Sequence, residues 1–125
     1  GFSKAVAKYI SEKLIVLGYY AMVSEYMESM KDKYFCKGIL ILISKTGETS
    51  SLFPLCEKAT AAKIPIILFT GNANSTIGEK AALTFVIRDS NPIDDRNLEK
   101  NDFFGNTILF FENLMNLCLK NDEDK

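Results

Sequence analysis

Gly38-Ile39-Leu40-Ile41-Leu42-Ile43 and Ile64-Pro65-Ile66-Ile67-Leu68-Phe69 are short apolar runs with no polar break, and they restrict the possible folds more than any other feature. A strand wetted on one side alternates apolar with polar residues, whereas an uninterrupted run suits a strand covered on both faces, as in a parallel sheet between helical layers. Leu83-Thr84-Phe85-Val86-Ile87 reads as a third strand and Tyr19 to Val23 as a weaker one. Between these runs the apolar spacing lengthens to that of a helix. Ser3 to Leu17 is one such stretch, closed by Gly18 at a C-cap position. Thr49 to Ala62 is another, with Leu52, Leu55, Cys56, Ala59 and Ala62 on one face. A shorter helix follows Asn74-Ser75-Thr76, where Thr76 and Glu79 have capping-box spacing. This alternation predicts an α/β fold, a three-layer α-β-α sandwich with a mostly parallel sheet. The 125 residues suit one domain spanning 1–125.

Ser90 to Asn101 is polar, contains Pro92 and reads as a long loop. The last helix, about Asp102 to Leu119, carries two apolar stripes: Phe104, Ile108, Phe111, Met115 and Cys118, and beside them Phe103, Phe110, Leu114 and Leu117. Together they exceed one core-facing arc. Leaving such side chains in water forgoes roughly 1.5–3 kcal/mol each, so part of this helix is expected to pack on another subunit or domain. Deep insertion into its own core is the alternative. The tail Asn121 to Lys125 is polar and expected to fray. At the other end the chain enters a helix directly from Gly1, so the first strand of the fold is expected to lie upstream, outside this sequence.

Several functions are disfavoured by composition. The sequence has no histidine, which removes the commonest general base, the commonest metal ligand and every Ser-His or Cys-His pairing. Lys plus Arg number 15 against 16 Asp plus Glu, without the basic face that gripping nucleic acid requires. Cys36, Cys56 and Cys118 are scattered and lack C-x-x-C spacing, so buried reduced thiols are expected rather than disulfides or a metal site. No apolar run approaches the ~20 residues of a membrane span and no leader-like segment opens the chain. A cytoplasmic protein without cofactor or metal is therefore expected.

Directly after Ile43 comes Ser44-Lys45-Thr46-Gly47-Glu48-Thr49-Ser50-Ser51, a hydroxyl-rich turn between a strand and a helix. The first N–H groups of a helix lack internal partners and carry partial positive charge, so an anion such as phosphate is favoured there. Ser44, Thr46 and Thr49 can donate hydroxyl hydrogen bonds, Gly47 permits close backbone approach, and Lys45 can add charge. The carboxyl end of a strand is also where open α/β sheets bind ligands. Capping is the other reading, because Ser and Thr are preferred at helix starts for structural reasons alone. A cap uses one or two hydroxyls, whereas this turn offers five in eight positions. Neither the phosphate loop G-x-x-x-x-G-K-[ST] nor G-x-G-x-x-G is present, which disfavours nucleotides. Gly1-Phe2-Ser3 opens a helix too, and its Ser3 is either an ordinary N-cap or a second wall of the same pocket.

Ser44-Lys45-Thr46-Gly47-Glu48-Thr49 resembles the S-x-S-G-E-T signature of sugar isomerase (SIS) domains, and Gly1-Phe2-Ser3 resembles the end of their first phosphosugar loop, G-x-G-x-S. Phe69-Thr70-Gly71-Asn72, followed by Ser75 and Ala81-Ala82, resembles the family's strand, T-N, Ser-started helix and final strand. The resemblance implies that Ser3, Ser44, Thr46 and Thr49 hold the phosphate of a phosphosugar, with Lys45, Gly47 and Glu48 contributing to the same turn. Thr46 stands where Ser is usual and keeps the hydroxyl, while Ala82 stands where Asp is common.

That family contains isomerases and regulators, so fold alone does not choose between them. Aldose–ketose isomerisation needs a base near the sugar's C1 and C2 and usually a group that opens the ring. Without histidine the second role has no obvious occupant. Glu99 and Glu112 are conceivable bases, each more simply read as a solvated carboxylate. The ending, Arg88, a polar loop, then Asn101 to Thr107 and a long helix, resembles the effector domain of RpiR-type transcription regulators. That resemblance implies a non-enzymatic, phosphosugar-sensing domain that forms a homodimer or higher oligomer through the C-terminal helix. DNA would be met only through a helix-turn-helix domain N-terminal to it. A phosphosugar isomerase is the alternative, and a scaffold with a vestigial pocket a third.

Overall fold

The computed structural model describes residues 2–23, 38–92, 94 and 96–123. In chain order its elements are α1 (Phe2–Val16), β1 (Leu40–Ile43), a 3-10 turn (Ser50–Leu52), α2 (Phe53–Ala61), β2 (Ile66–Thr70), α3 (Thr76–Lys80), β3 (Leu83–Val86) and α4 (Phe103–Glu123). The three strands are parallel in the order β1-β2-β3, with Leu40 opposite Ile66 and Phe69 opposite Phe85.

Successive side chains of a strand point to opposite faces, and both faces are covered. On one, Leu42, Ile66 and Leu68 meet Leu55, Cys56 and Ala59 of α2 and Ile77 of α3. On the other, Ile43 and Phe69 meet Val6 and Ile10 of α1 and Phe103 and Phe111 of α4. The expected three-layer sandwich is formed, and the absence of polar residues from β1 and from Ile66 to Phe69 of β2 follows from this double burial.

Element boundaries move for local reasons. Pro65 has no N–H to give a ladder, so β2 begins at Ile66, although Pro65 accepts a hydrogen bond from the Leu40 N–H at 3.0 Å. The helix expected from Thr49 begins as a 3-10 turn and becomes α-helical at Phe53, with Pro54 in its first turn. Ser75, not Thr76, caps α3, its Oγ accepting from the Gly78 N–H at 3.0 Å. Gly18 closes α1 with φ 96° while the Tyr19 N–H reaches Leu14 O at 2.9 Å. Tyr19 to Val23, expected as a weak strand, is not one: it has no ladder partner among the described residues, and Tyr20 is 97% exposed.

Cys56 is buried, as expected, but Cys118 is exposed. The helix outruns its core, for every side chain from Asn116 to Asn121 is exposed. Cys36 lies outside the described residues.

Candidate functional site

The turn after β1 is held in shape by its own side chains and by the end of β2. Ser44 Oγ accepts from the Gly47 N–H at 3.0 Å and lies 2.7 Å from Thr49 Oγ1. Thr46 Oγ1 accepts from the Glu48 N–H at 3.1 Å. Lys45 O receives the Gly71 N–H at 2.9 Å and the Thr70 hydroxyl at 3.2 Å. Asn72 Nδ2 donates to Thr46 O at 3.0 Å. Gly47 adopts φ 70°, and a Cβ built there would sit 2.2 Å from Ser75 Cβ, so no other residue fits without displacing the start of α3.

These hydroxyls do not cap the helices that follow. Neither Thr49, at the N-cap of the 3-10 turn, nor Leu52, at the N-cap of α2, makes a side-chain capping bond. Thr46 already accepts from Glu48, which leaves its O–H proton to be donated elsewhere. Ser44 accepts from Gly47, and if its proton goes to Thr49 Oγ1, the Thr49 proton is likewise available.

Ser3, Lys45, Thr46, Glu48, Thr49, Ser50, Asn97 and Phe104 line a cleft of about 320 Å³. Two helix starts border it. Ser3 stands in the first turn of α1 and Phe104 in the first turn of α4, with the Phe2 and Phe104 rings 5.6 Å apart. Further along, the Tyr9 hydroxyl of α1 donates to Glu112 of α4, and Lys13 Nζ lies 3.3 Å from the same carboxylate. The helices thus run side by side in the same direction, and both present their positive ends to the cleft.

Of the residues singled out in the sequence, Ser3, Lys45, Thr46, Glu48 and Thr49 meet at this cleft, while Ser44 and Gly47 are buried beneath it and shape the turn. Two side chains are already engaged. Glu48 Oε1 accepts the Thr76 N–H at 2.7 Å, which ties the turn to α3, and the Thr76 side chain together with this N–H holds its carboxyl below the usual glutamate range. Lys45 Nζ donates to Asp94 O at 2.7 Å and lies 3.7 Å from Asp89 Oδ2, so its charge is directed at the 88–102 loop.

Asn97 and Phe104 were not singled out as site residues, nor was Ser50 beyond its place among the turn's hydroxyls. A helix start was legible before Phe104, but nothing local signals that Asn97 crosses to the turn. Among the described residues no cluster of three or more His, Cys, Asp or Glu side chains could hold a metal, and no helix is long and apolar enough to cross a membrane.

No curated protein matches the chain significantly. Solved structures similar to it include one described as a hypothetical protein (21% identity, TM-score 0.76, covering 98% of this chain and 68% of that one). Another is the Vibrio vulnificus NanR protein complexed with ManNAc-6P (20%, 0.79, 99% and 47%). A third, from Listeria monocytogenes, is described as a candidate sugar-phosphate isomerase (23%, 0.76, 99% and 66%). The chain spans from about half to about two thirds of their lengths, and at these identities the likeness is one of fold. Residues 1–99 match the family described as SIS domain, and with the three-layer parallel architecture this establishes that the chain belongs to the SIS domain family.

Proposed function

We propose that the chain is a phosphosugar-sensing effector domain of a bacterial transcription regulator of carbohydrate metabolism, of the RpiR type, acting in the cytoplasm. The observation that carries this reading is the cleft itself, where the hydroxyls of Ser3, Thr46, Thr49 and Ser50 gather between the starts of α1 and α4. Hydroxyl donors and helix N-termini recognise a phosphate group, and the cleft is large enough for a sugar attached to it. Ser44 and Gly47 hold the donors in place from below. The NanR structure contains a sugar phosphate, which supports this ligand class.

Sensing requires that the ligand bind one quaternary arrangement more tightly than another. α4 is suited to transmit such a preference. Its first turn lines the cleft, while Leu109 and Phe110 lie further along the same helix and, with Val86, border a second groove of about 400 Å³. Leu83, Val86, Leu109 and Leu117 are 47–61% exposed, and a second copy of the chain covering them would form the dimer. DNA affinity would then reside in a helix-turn-helix domain outside these 125 residues.

The likeness to a candidate sugar-phosphate isomerase favours a second reading, phosphosugar isomerisation. Against it, Glu99 and Glu112 do not line the cleft, and Glu112 is bound by Tyr9 and Lys13. Glu48 does line it, but Thr76, through its side chain and its N–H, makes its carboxylate a weaker base.

Calorimetry with hexose 6-phosphates, coupled to NMR detection of aldose–ketose conversion, tests both readings. Binding without conversion is expected, and Thr46→Val should weaken it by about 1.5–3 kcal/mol, on the order of 10- to 100-fold. Conversion by the wild type would establish the isomerase reading. Undiminished binding by the variant would remove Thr46 from the site, and failure of every sugar phosphate to bind would refute the sensor.

A further inference from the structure

Lys45 is the cation of the phosphate turn, yet its ammonium group does not face open cleft. Its side chain is 5% exposed, with Nζ 2.7 Å from Asp94 O and 3.7 Å from Oδ2 of Asp89, itself 1% exposed. Asp89 Oδ2 has no hydrogen bond. A buried carboxylate without a full set of donors depends on its counter-charge, and removing either partner leaves the other uncompensated. Lys45 is therefore committed to Asp89 unless something stronger replaces it.

Both carbonyl and carboxylate belong to the 88–102 loop, whose described residues also bond to one another and, through Arg88 O and Asn106 Nδ2 at 3.2 Å, to α4. The Ser90 N–H bonds Asp102 Oδ1 at 2.8 Å, the Glu99 N–H bonds Asp94 Oδ2 at 2.7 Å, and Asn91 Nδ2 bonds Lys100 O. These bonds fold the loop but do not fasten it to the turn 44–49. Among the described residues Lys45 makes that attachment.

Asn97 is what the attachment delivers. It adopts φ 58°, a left-handed conformation that Asn tolerates better than most residues. It lines the same cleft as Phe104, and its Oδ1 is buried without a partner. Buried acceptors are almost always paired, so the orphaned Oδ1 leaves Asn97 with an unused acceptor that a turn of its side chain would offer to a ligand's donor. The same cleft holds the hydroxyls assigned to phosphate. An amide and an aromatic ring suit the hydroxyls and carbon face of a sugar.

We propose that Lys45 is a positioning residue and not a phosphate ligand: paired with Asp89 it pins the 88–102 loop to the phosphate turn and so seats Asn97 as a specificity-determining residue at the sugar end of the cleft. This rests on the phosphosugar reading, and its two halves are tested separately.

Hydrogen exchange of the ligand-free protein reads the pin. Asp89→Asn should raise amide exchange across residues 88–97 on the order of tenfold, whereas Asn97→Ala should not. Calorimetry with inorganic phosphate and with a panel of hexose 6-phosphates reads specificity. Both variants should lower the affinity for the tightest-bound sugar phosphate about tenfold or more, toward that of inorganic phosphate, while inorganic phosphate itself binds Asp89→Asn as well as wild type or better. Should Asp89→Asn fold poorly, the double variant Lys45→Met, Asp89→Leu leaves no buried charge and should show the same loosened loop and lost discrimination. Unchanged exchange in the charge variants overturns the pin. Parallel loss of inorganic phosphate in Asp89→Asn overturns the separation of roles, and undiminished discrimination by Asn97→Ala overturns its assignment. A wild type that binds no sugar phosphate removes the phosphosugar reading together with the role of Asn97, and exchange still decides the pin.

Discussion

Gly47→Ala tests the packing on which the candidate site is built. At φ 70° an alanine pays roughly 1–2 kcal/mol for the left-handed conformation. Its Cβ would also lie 2.2 Å from Ser75 Cβ and 2.3 Å from Ser75 Oγ. The neighbour here is the capping residue of α3, fixed to the Gly78 N–H, so it cannot simply swing away. Overpacking of this kind costs about 1–3 kcal/mol, for a total of about 2–5 kcal/mol, or roughly 3–6 °C in Tm for each kcal/mol at this chain length. Ser75→Gly alone should cost only a few tenths of a kcal/mol, because glycine is a serviceable cap. Combined with Gly47→Ala it removes the collision and leaves the backbone term, so the double variant should be more stable than Gly47→Ala itself. Urea unfolding of the four proteins gives the coupling directly. Strict additivity would show that the turn and α3 do not collide as described, and the argument for an obligatory glycine would fall.

Acidification should loosen the loops around the cleft. Glu48, Asp94, Asp102 and Glu112 are all held below their ordinary values of 4.5 for Glu and 3.8 for Asp, chiefly by Thr76, by the Glu99 N–H, by the Ser90 N–H and by the Tyr9 hydroxyl, respectively. A depressed folded-state pKa contributes stability that is present above the unfolded value and lost as pH falls through the folded one. Urea midpoints should therefore decline on acidification from about pH 5, with a shallower decline in Glu48→Gln; a flat profile would contradict these hydrogen bonds. A thiol reagent followed by peptide mapping should label Cys118 and leave Cys56 unlabelled in the native protein, since burial both shields Cys56 and raises its pKa. On α4, Phe111→Ala should cost about 3–5 kcal/mol, whereas Leu117→Glu should leave the fold intact and lower the apparent mass in sedimentation if a second copy covers that face.

The layers of the fold were legible because they depend on local pattern. Unbroken runs such as Leu40 to Ile43 require cover on both sides, and the helical period of α2 supplies it on one. Tyr19 to Val23 misled because its residues favour strands while a strand also needs a neighbour, which composition cannot reveal. In the cleft, the hydroxyls of Thr46 and Thr49 could be read from their place between strand and helix. The engagement of Lys45 by Asp89 and Asp94, and of Glu48 by the Thr76 N–H, could not, since each joins segments brought together only by the sheet. Asn97 belongs to the same class. Its neighbours in sequence are loop residues, and its position at the cleft depends on a contact made by another side chain.

Ser3 comes from α1 and Phe104 from α4, so the cleft is closed only after two helices far apart in sequence have been brought together. A fragment lacking either helix has no complete wall against which to hold an anion. Any molecule resident there would clasp α1 to α4 and resist global opening more than it hastens assembly, because long-range closure comes late. Occupancy would then appear first as a slower escape from the native state.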